Sequence, residues 1–377
     1  MTDMTIKAIH TTILRVPWPD TPWLKGHAFG EARNLLVLDV ETKGGIVGQG
    51  HLFSFRPGLK TIAMALEETI IPRVIGKDAT AVEGIWNDLW KATVTYNRGG
   101  IVSMAMSALD IALWDAIGKR ANMPLHRLWG HVRSELPVYG SGCFRGSGGD
   151  GMIAKALHYK SRGYKAIKMQ MAHTNDHHRD VDNVRRMREA LGPDIEIMID
   201  INQGWNADMA IAMARKIEPY DIYWLEEPVP VDDIPGYVKV RSKAGNTRIA
   251  GGENHTGVAE FRQLIDAGAV DIAQPSHLAT GGLTDWLKVN AYAAARNVPV
   301  SPWQFPEVNT HTAAAFPNVM WIEYVAPRSE LEGKQLLKSP VFEEEITEEG
   351  VFLKTPLSPG FGFALDESVA ARTLIRE

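Results

Sequence analysis

Cysteine is almost absent from this chain: Cys143 stands alone among 377 residues, which excludes an internal disulfide framework. Excess positive charge is absent as well. Forty Lys and Arg face 45 Asp and Glu for a net charge of −5, so the cationic footprint of a nucleic-acid binder is missing. No apolar run reads as long enough to span a membrane, and the opening MTDMTIKAIH lacks the apolar core of a signal peptide. The expectation is a cytoplasmic protein with neither membrane nor nucleic acid as partner. Hydrophobic residues at 45% and charged residues at 23% fit a globular chain long enough for a barrel-sized domain and a second lobe.

The pattern changes along the chain. Residues 1–130 read as an α+β lobe. Apolar runs at Ile6–Val16, Asn34–Glu41 and Gly45–Gly50 suggest a strand meander, with Lys43-Gly44-Gly45 as a hairpin turn. Two helical patterns come next; the stronger is SMAMSALDIALWDAIGKRAN, with Ser103 as the expected N-cap. Pro124 and Gly130 close that lobe. From Leu136 onward short strands alternate with helices: LPVYGSG, YKAIKMQ, IEIMIDI, IYWLEEP, RIAGGEN, VDIAQPS, VPVSPW and MWIEYV. Eight such units predict an α/β fold, a (β/α) barrel over residues 131–340. The tail, 341–377, returns to strand-and-turn character and is expected to pack back on the first lobe. Its acidic run Glu343–Glu349 reads as a solvated edge.

Three carboxylates carry the chemical signal. Asp200, Glu226 and Glu253 each end an apolar run, and they are 26 and 27 residues apart. That is one strand–helix unit, so neighbouring strands aim one carboxylate each at the C-terminal face of the barrel. Three acids that close repel unless a hard cation neutralises them, which predicts one Mg²⁺ per chain. Glu227 is expected to face the opposite side of its strand. By the same alternation Lys168 pairs with Gln170, Asp200 with Asn202, Gln274 with Ser276 and Ser301 with Trp303. GSGGDG at Gly146–Gly151 matches a dinucleotide fingerprint, but the next strand ends in Gln170 and Met171 rather than an acid, so it reads as a βα loop.

Together the strand-two lysine, Asp-x-Asn, Trp-Leu-Glu-Glu-Pro, Gly-Glu-Asn and ALDIALWDAIGK resemble the enolase superfamily, in its mandelate racemase/muconate lactonizing branch. The resemblance spans essentially the whole chain, including the PGFGFALDE tail. It implies a capped, modified TIM barrel holding Mg²⁺ on Asp200, Glu226 and Glu253, and removal of the proton α to a carboxylate through an enediolate. A homo-oligomer and a small carboxylate substrate are implied as well.

The resemblance breaks at the proton-transfer positions. Where members carry Lys-x-Lys this chain has Lys168-Met169-Gln170, and an amide cannot be a base. Where they carry a His paired with an Asp it has Trp303 and Ser276. Glu323 matches the strand-eight glutamate that helps bind the carboxylate. Lys168 is then the first candidate base, with burial and metal lowering its pKa. Asn202 would orient the site, and His27, His51, His255, His311 and Tyr139 are alternative bases. A third possibility is a protein that binds metal and ligand without turnover. The loops Pro17–Glu31 and Gly50–Pro57 are the expected lid, bringing Trp18, Trp23, His27, Phe29, His51, Phe53 and Phe55 over Trp303 and Phe305. Tyr139, Ser276, Trp303, Trp23, His27, His51 and Phe53 are thus the candidate substrate wall. An acid-sugar dehydratase is the expected activity, with a racemase, epimerase or cycloisomerase as the alternative.

Overall fold

Three long strands, β1 (Ile6–Pro17), β2 (Ala32–Thr42) and β3 (Val47–Ser54), form an antiparallel meander in the order β1-β2-β3. The hairpin joining β2 to β3 turns at Gly45, whose φ of 82° suits glycine. The computed structural model describes residues 2–17, 32–54, 58–96, 99–172, 176–325, 338 and 341–374. Most of the expected lid, 18–31 and 55–57, therefore lies outside the described residues, and with it Trp18, Trp23, His27, Phe29 and Phe55.

Helices α1 (Leu59–Ala65), α2 (Ile71–Val74), α3 (Val82–Thr93) and α4 (Ile101–Ala121) follow; α1 and α4 pack on the meander, and α3 packs on α4. The N-cap of α4 is Gly100, not Ser103; Ser103 is buried within the helix. The long α4 also corrects the reading of apolar runs. Its 21 residues, with mean hydropathy 1.5 over the best window, could cross a membrane on length and composition alone. Most of that window is instead buried in this protein. Contact between α4 and β3 depends on two glycines: a Cβ at Gly48 or Gly50 would stand 2.1 Å from the carbonyl oxygens of Ala112 or Ala108.

The barrel begins with β4 (Glu135–Cys143). It continues through β5 (Ala166–Gln170), β6 (Glu196–Asp200), β7 (Ile222–Glu226), β8 (Arg248–Gly251) and β9 (Ile272–Ala273), all parallel and in sequence order. The seventh expected strand, VPVSPW, contributes one bridging residue, Val300, between Ala273 and Val319. Pro299 and Pro302 flank it and cannot donate to a ladder. Pairing of β10 (Ile322–Tyr324) with β4 closes the ring. Helices α6 (Gly148–Ser161), α7 (His177–Leu191), α8 (Ala207–Ile217), α9 (Ile234–Arg241), α10 (Gly257–Asp266), α11 (Leu283–Ala295) and α12 (Pro306–Ala315) come after the strands; the short α5 (Leu125–Trp129) precedes the barrel. The GSGGDG stretch opens α6, and its Asp150 pairs with Arg186.

One layer of side chains fills the barrel floor: Tyr139, Ala166, Met198, Trp224, Ala250 and Ile272, one from each of β4 to β9. That floor fixes which residues stand above it, because side chains two positions further along share a face.

Cap and barrel are joined through α4. Asp110 accepts from the backbone and hydroxyl of Thr284 at 2.8 and 2.6 Å, and Trp114 Nε1 donates to the same hydroxyl at 2.9 Å. The tail divides between the two domains. Its hairpin, β11 (Glu344–Thr347) and β12 (Gly350–Lys354), adds to the barrel strand β4 rather than to the first lobe. Only the residues beyond the hairpin return to the cap. There Asp115 accepts from the Phe361 N–H at 2.9 Å and the Gln49 N–H at 2.8 Å, Phe363 stacks on His51 at 4.6 Å, and α13 (Glu367–Thr373) meets β1.

His311 belongs to this junction, not to the barrel mouth. Its Nδ1 accepts from the His126 N–H at 3.3 Å while Nε2 faces the Phe361 carbonyl at 3.3 Å, an arrangement that suits the neutral ring. Burial pushes its pKa down to about 3, against the Phe361 contact. A folded pKa below the unfolded value means that the unfolded chain takes the proton first, so stability present above about pH 6.5 is lost as pH falls. Between pH 7 and 5 we expect the parent protein to lose about 1–2 kcal/mol more than His311→Gln, whose amide can replace both contacts. Urea melts at the two pH values read the difference; equal losses would contradict it.

Candidate active site

Above the floor stand Ser141, Lys168, Asp200 and Glu226, two residues beyond Tyr139, Ala166, Met198 and Trp224. All four are buried. Lys168 Nζ sits 2.6 Å from Glu226 and 2.9 Å from Glu323, and 5.4 Å above the Tyr139 ring. Ser141 Oγ donates to Glu323 at 2.7 Å, the Gln304 N–H reaches the other Glu323 oxygen at 3.1 Å, and Trp224 Nε1 donates to Glu226 at 3.0 Å. Burial disfavours the charge on Lys168, but Glu226 and Glu323 outweigh it and raise the pKa well above the usual lysine value. With Glu226 and Glu323 this close, burial alone does not lower it, and Lys168 holds its proton more tightly than a free lysine.

The carboxylates repel one another. Burial first, then the neighbouring acids, push Asp200 up to about 6 and Glu226 to about 7, and Glu253 well above the carboxylate range. Glu227, expected to face away, belongs to the same group. The strand ends at Glu226 and Glu227 turns with φ 41°, so alternation stops there. Its carboxylate accepts from Asn254 at 2.8 Å and Gln203 at 3.2 Å, and burial pushes it up to about 7. Asn254 also reaches Glu253 at 3.3 Å.

Among the described residues no three His, Cys, Asp or Glu side chains close on a common point as a ready ligand cage. Glu226 is instead paired with Lys168 at 2.6 Å, while Asp200 keeps a fixed orientation through the Asn202 N–H and Nδ2 at 2.8 and 2.6 Å. The donor set still fits a hard divalent cation. Its ligands are all oxygens, they are buried, and burial together with the neighbouring acids raises their pKa values, a cost that a cation would offset.

Several expected residues fall elsewhere. The His255 ring lies between Tyr237 of α9 and Phe261 of α10, at centroid distances of 6.5 and 5.8 Å. The chain turns into α10 directly after Glu253, which carries His255 into the helical layer and out of the barrel mouth. Burial there pushes its pKa down to about 4. Tyr139 is floor, packed edge-on against Trp224 at 5.3 Å, and not substrate wall. His51 is buried between Phe363 of the tail, at 4.6 Å, and Phe305 of the barrel, at 5.7 Å. Phe53 of β3 does form a wall with the barrel, 4.6 Å from Phe305 and 5.8 Å from Trp303. Ser276 Oγ and both polar atoms of Gln274 are buried without a hydrogen-bond partner among the described residues, although neither lies on a regular strand. Gln170, at the rim, accepts from the Arg145 N–H at 3.3 Å. Cys143 is buried, and burial pushes its thiol up to about 12.

Arg145 was not anticipated. It comes just after β4 in SGCFRG, and its guanidinium donates to the Asn202 side-chain oxygen. The sequence signal was a cation shortly past a barrel strand, in the position from which loops supply function.

Residues 8–130 match the family described as mandelate racemase/muconate lactonizing enzyme, N-terminal domain, and residues 151–369 match the enolase C-terminal domain-like family. The chain belongs to the mandelate racemase/muconate lactonizing enzyme family of the enolase superfamily. Among relatives in that family, a 3,6-anhydro-alpha-L-galactonate cycloisomerase of Streptomyces coelicolor is 32% identical over 84% of this chain and 88% of its own. An L-rhamnonate dehydratase of Saccharopolyspora erythraea is 32% identical over 92% and 87%. A Streptomyces coelicolor racemase crystallised with magnesium superposes with a TM-score of 0.89 at 30% identity, covering 98% of this chain and 100% of that one. An L-talarate dehydratase from Polaromonas sp. JS666, in complex with Mg and L-glucarate, gives a TM-score of 0.83 at 29% identity over 98% and 97%.

The repulsion has a measurable sign. The raised carboxylate pKa values mean that the folded protein holds extra protons between about pH 4 and 7, so this group costs more stability as pH rises through that window. In the presence of chelator at pH 7.5 we expect Glu253→Gln to melt higher than the parent, and Mg²⁺ to raise the parent's Tm but not the variant's. A parent Tm indifferent to Mg²⁺ would contradict the site.

Proposed function

We propose that this protein is an Mg²⁺-dependent enzyme that removes the proton α to the carboxylate of an acid sugar and eliminates the β-hydroxyl as water. The observation that carries this reading is the buried row Lys168–Glu226–Asp200 at the barrel mouth, a carboxylate cluster short of positive charge beside a single lysine. Asp200, Glu226 and Glu253 are the ligands we assign to the ion. The bound ion would supply the counter-charge that makes so weak a carbon acid accessible.

Lys168 is placed to act on the substrate, and its protonation decides how. Glu226 cannot both saturate the ammonium and serve as a metal ligand. Without that contact, the burial that already disfavours the charge is opposed less, by Glu323, Tyr139 and Asp200, and a neutral amine can accept the α-proton. Held as an ammonium, Lys168 would instead anchor the substrate carboxylate. Glu323, fixed by Ser141 and the Gln304 N–H, positions Lys168 in either case. Trp303 and Ser276 in place of a His–Asp pair disfavour a second base on the opposite face, which supports one-base elimination over two-base racemisation. Gln274 and Ser276 offer uncharged partners for sugar hydroxyls. The aromatic wall of Phe53, Trp303 and Phe305 favours a less hydroxylated distal end, and ring closure of the kind the cycloisomerase name describes is the second reading. A cytoplasmic location and a homo-oligomeric assembly complete the proposal, the latter checked by light scattering.

Incubation with a panel of sugar acids in D₂O tests it. We expect a 2-keto-3-deoxy acid from at least one substrate. Exchange or inversion without elimination would select the isomerase reading, and binding without exchange would mean a silent metal-binding protein. Lys168→Arg divides the two lysine roles: it keeps the charge but takes no proton, so it should abolish exchange if Lys168 is the base and retain it if Lys168 is an anchor.

A further inference from the structure

Arg145, Asn202 and Asp200 form an ordered chain of hydrogen bonds across the ends of β4, β5 and β6. Asp200 accepts from Asn202 twice, from the backbone N–H at 2.8 Å and from Nδ2 at 2.6 Å. The Asn202 amide oxygen accepts from the Arg145 guanidinium. A carboxylate only accepts and a guanidinium only donates, so the amide between them has one possible orientation. Asn202 is itself held in a left-handed conformation, φ 48°, beyond the end of β6. Arg145 is tied down in turn: its backbone N–H donates to Gln170 at 3.3 Å, and its guanidinium lies 3.5 Å from the Ala172 carbonyl.

We propose that Arg145 is a positioning residue for Asp200, acting through Asn202 to hold the carboxylate in the orientation that binds a divalent cation. The inference rests on the proposed metal site. Partners behind a ligand are known to alter metal affinity by about 10–100-fold, because they fix the ligand's direction. Charge alone predicts the opposite sign. Removing a cation from the neighbourhood of a divalent ion relieves repulsion and should tighten binding. The two effects are therefore separable by the direction of the change.

Calorimetric titration of the full-length protein with Mg²⁺ tests this without reference to activity. We expect Arg145→Met to weaken Mg²⁺ binding about 10-fold despite losing a positive charge, and Asn202→Ala to weaken it similarly. The double variant should bind no more weakly than Asn202→Ala, since both changes break one chain. Arg145→Gln, whose amide can still donate to Asn202, should recover part of the affinity, and it serves as the readout if the methionine variant folds poorly. Unchanged or tighter binding in Arg145→Met, or additive losses in the double variant, would overturn the proposal. Glu226→Gln is the control. If it abolishes Mg²⁺ binding while Arg145→Met does not weaken it, the relay alone fails; if it leaves binding intact, the metal site itself is wrong.

Discussion

The structure depends on a cluster of like charges kept apart from water. Asp200, Glu226, Glu227 and Glu253 sit at the ends of three adjacent strands, where burial first and then at least one neighbouring acid raises the proton affinity of each. An arrangement of this kind costs stability unless something offsets it, and it persists only where the scaffold over-determines the positions. Here the scaffold is the barrel floor beneath, whose packed aromatic and aliphatic layer fixes the face from which Lys168, Asp200 and Glu226 project. In this state Lys168 and Arg145 supply the nearest positive charge.

The cap contributes by roofing the barrel. Two glycines let β3 lie against α4, and α4 in turn bonds the start of α11 through Asp110 and the loop after β9 through Ser107. That brings Phe53 against Trp303 and Phe305. The tail reinforces the joint from both sides, pairing with β4 by its hairpin and with the cap through Asp115 and His51. Packing energy from the cap thus stabilises the wall formed by Phe53, Trp303 and Phe305, while the buried carboxylates remain in the barrel.

The eight-unit periodicity and the even spacing of three acids were legible from residues alone, because both reflect the repeat length of a strand–helix unit. Alternation along a strand was reliable for as long as the strand lasted, as at Lys168, Asp200 and Glu226. It misled where strands stopped: Glu227 turns with positive φ into the acid group. His255 leaves for the helical layer, and VPVSPW is reduced to one bridge by its prolines. For Arg145 the only local signal is its place just past a barrel strand, and that does not name its partner, which is 57 residues away. The partners of Lys168 were hidden for a similar reason. Burial was readable from its strand, but the two carboxylates that outweigh burial come from β7 and β10.

A crystal structure of the protein soaked with magnesium tests the central claim most directly. We expect one ion bonded to oxygens of Asp200, Glu226 and Glu253, with Glu226 drawn off Lys168. A well-ordered site with no ion, and with Glu226 still paired to Lys168, would contradict it.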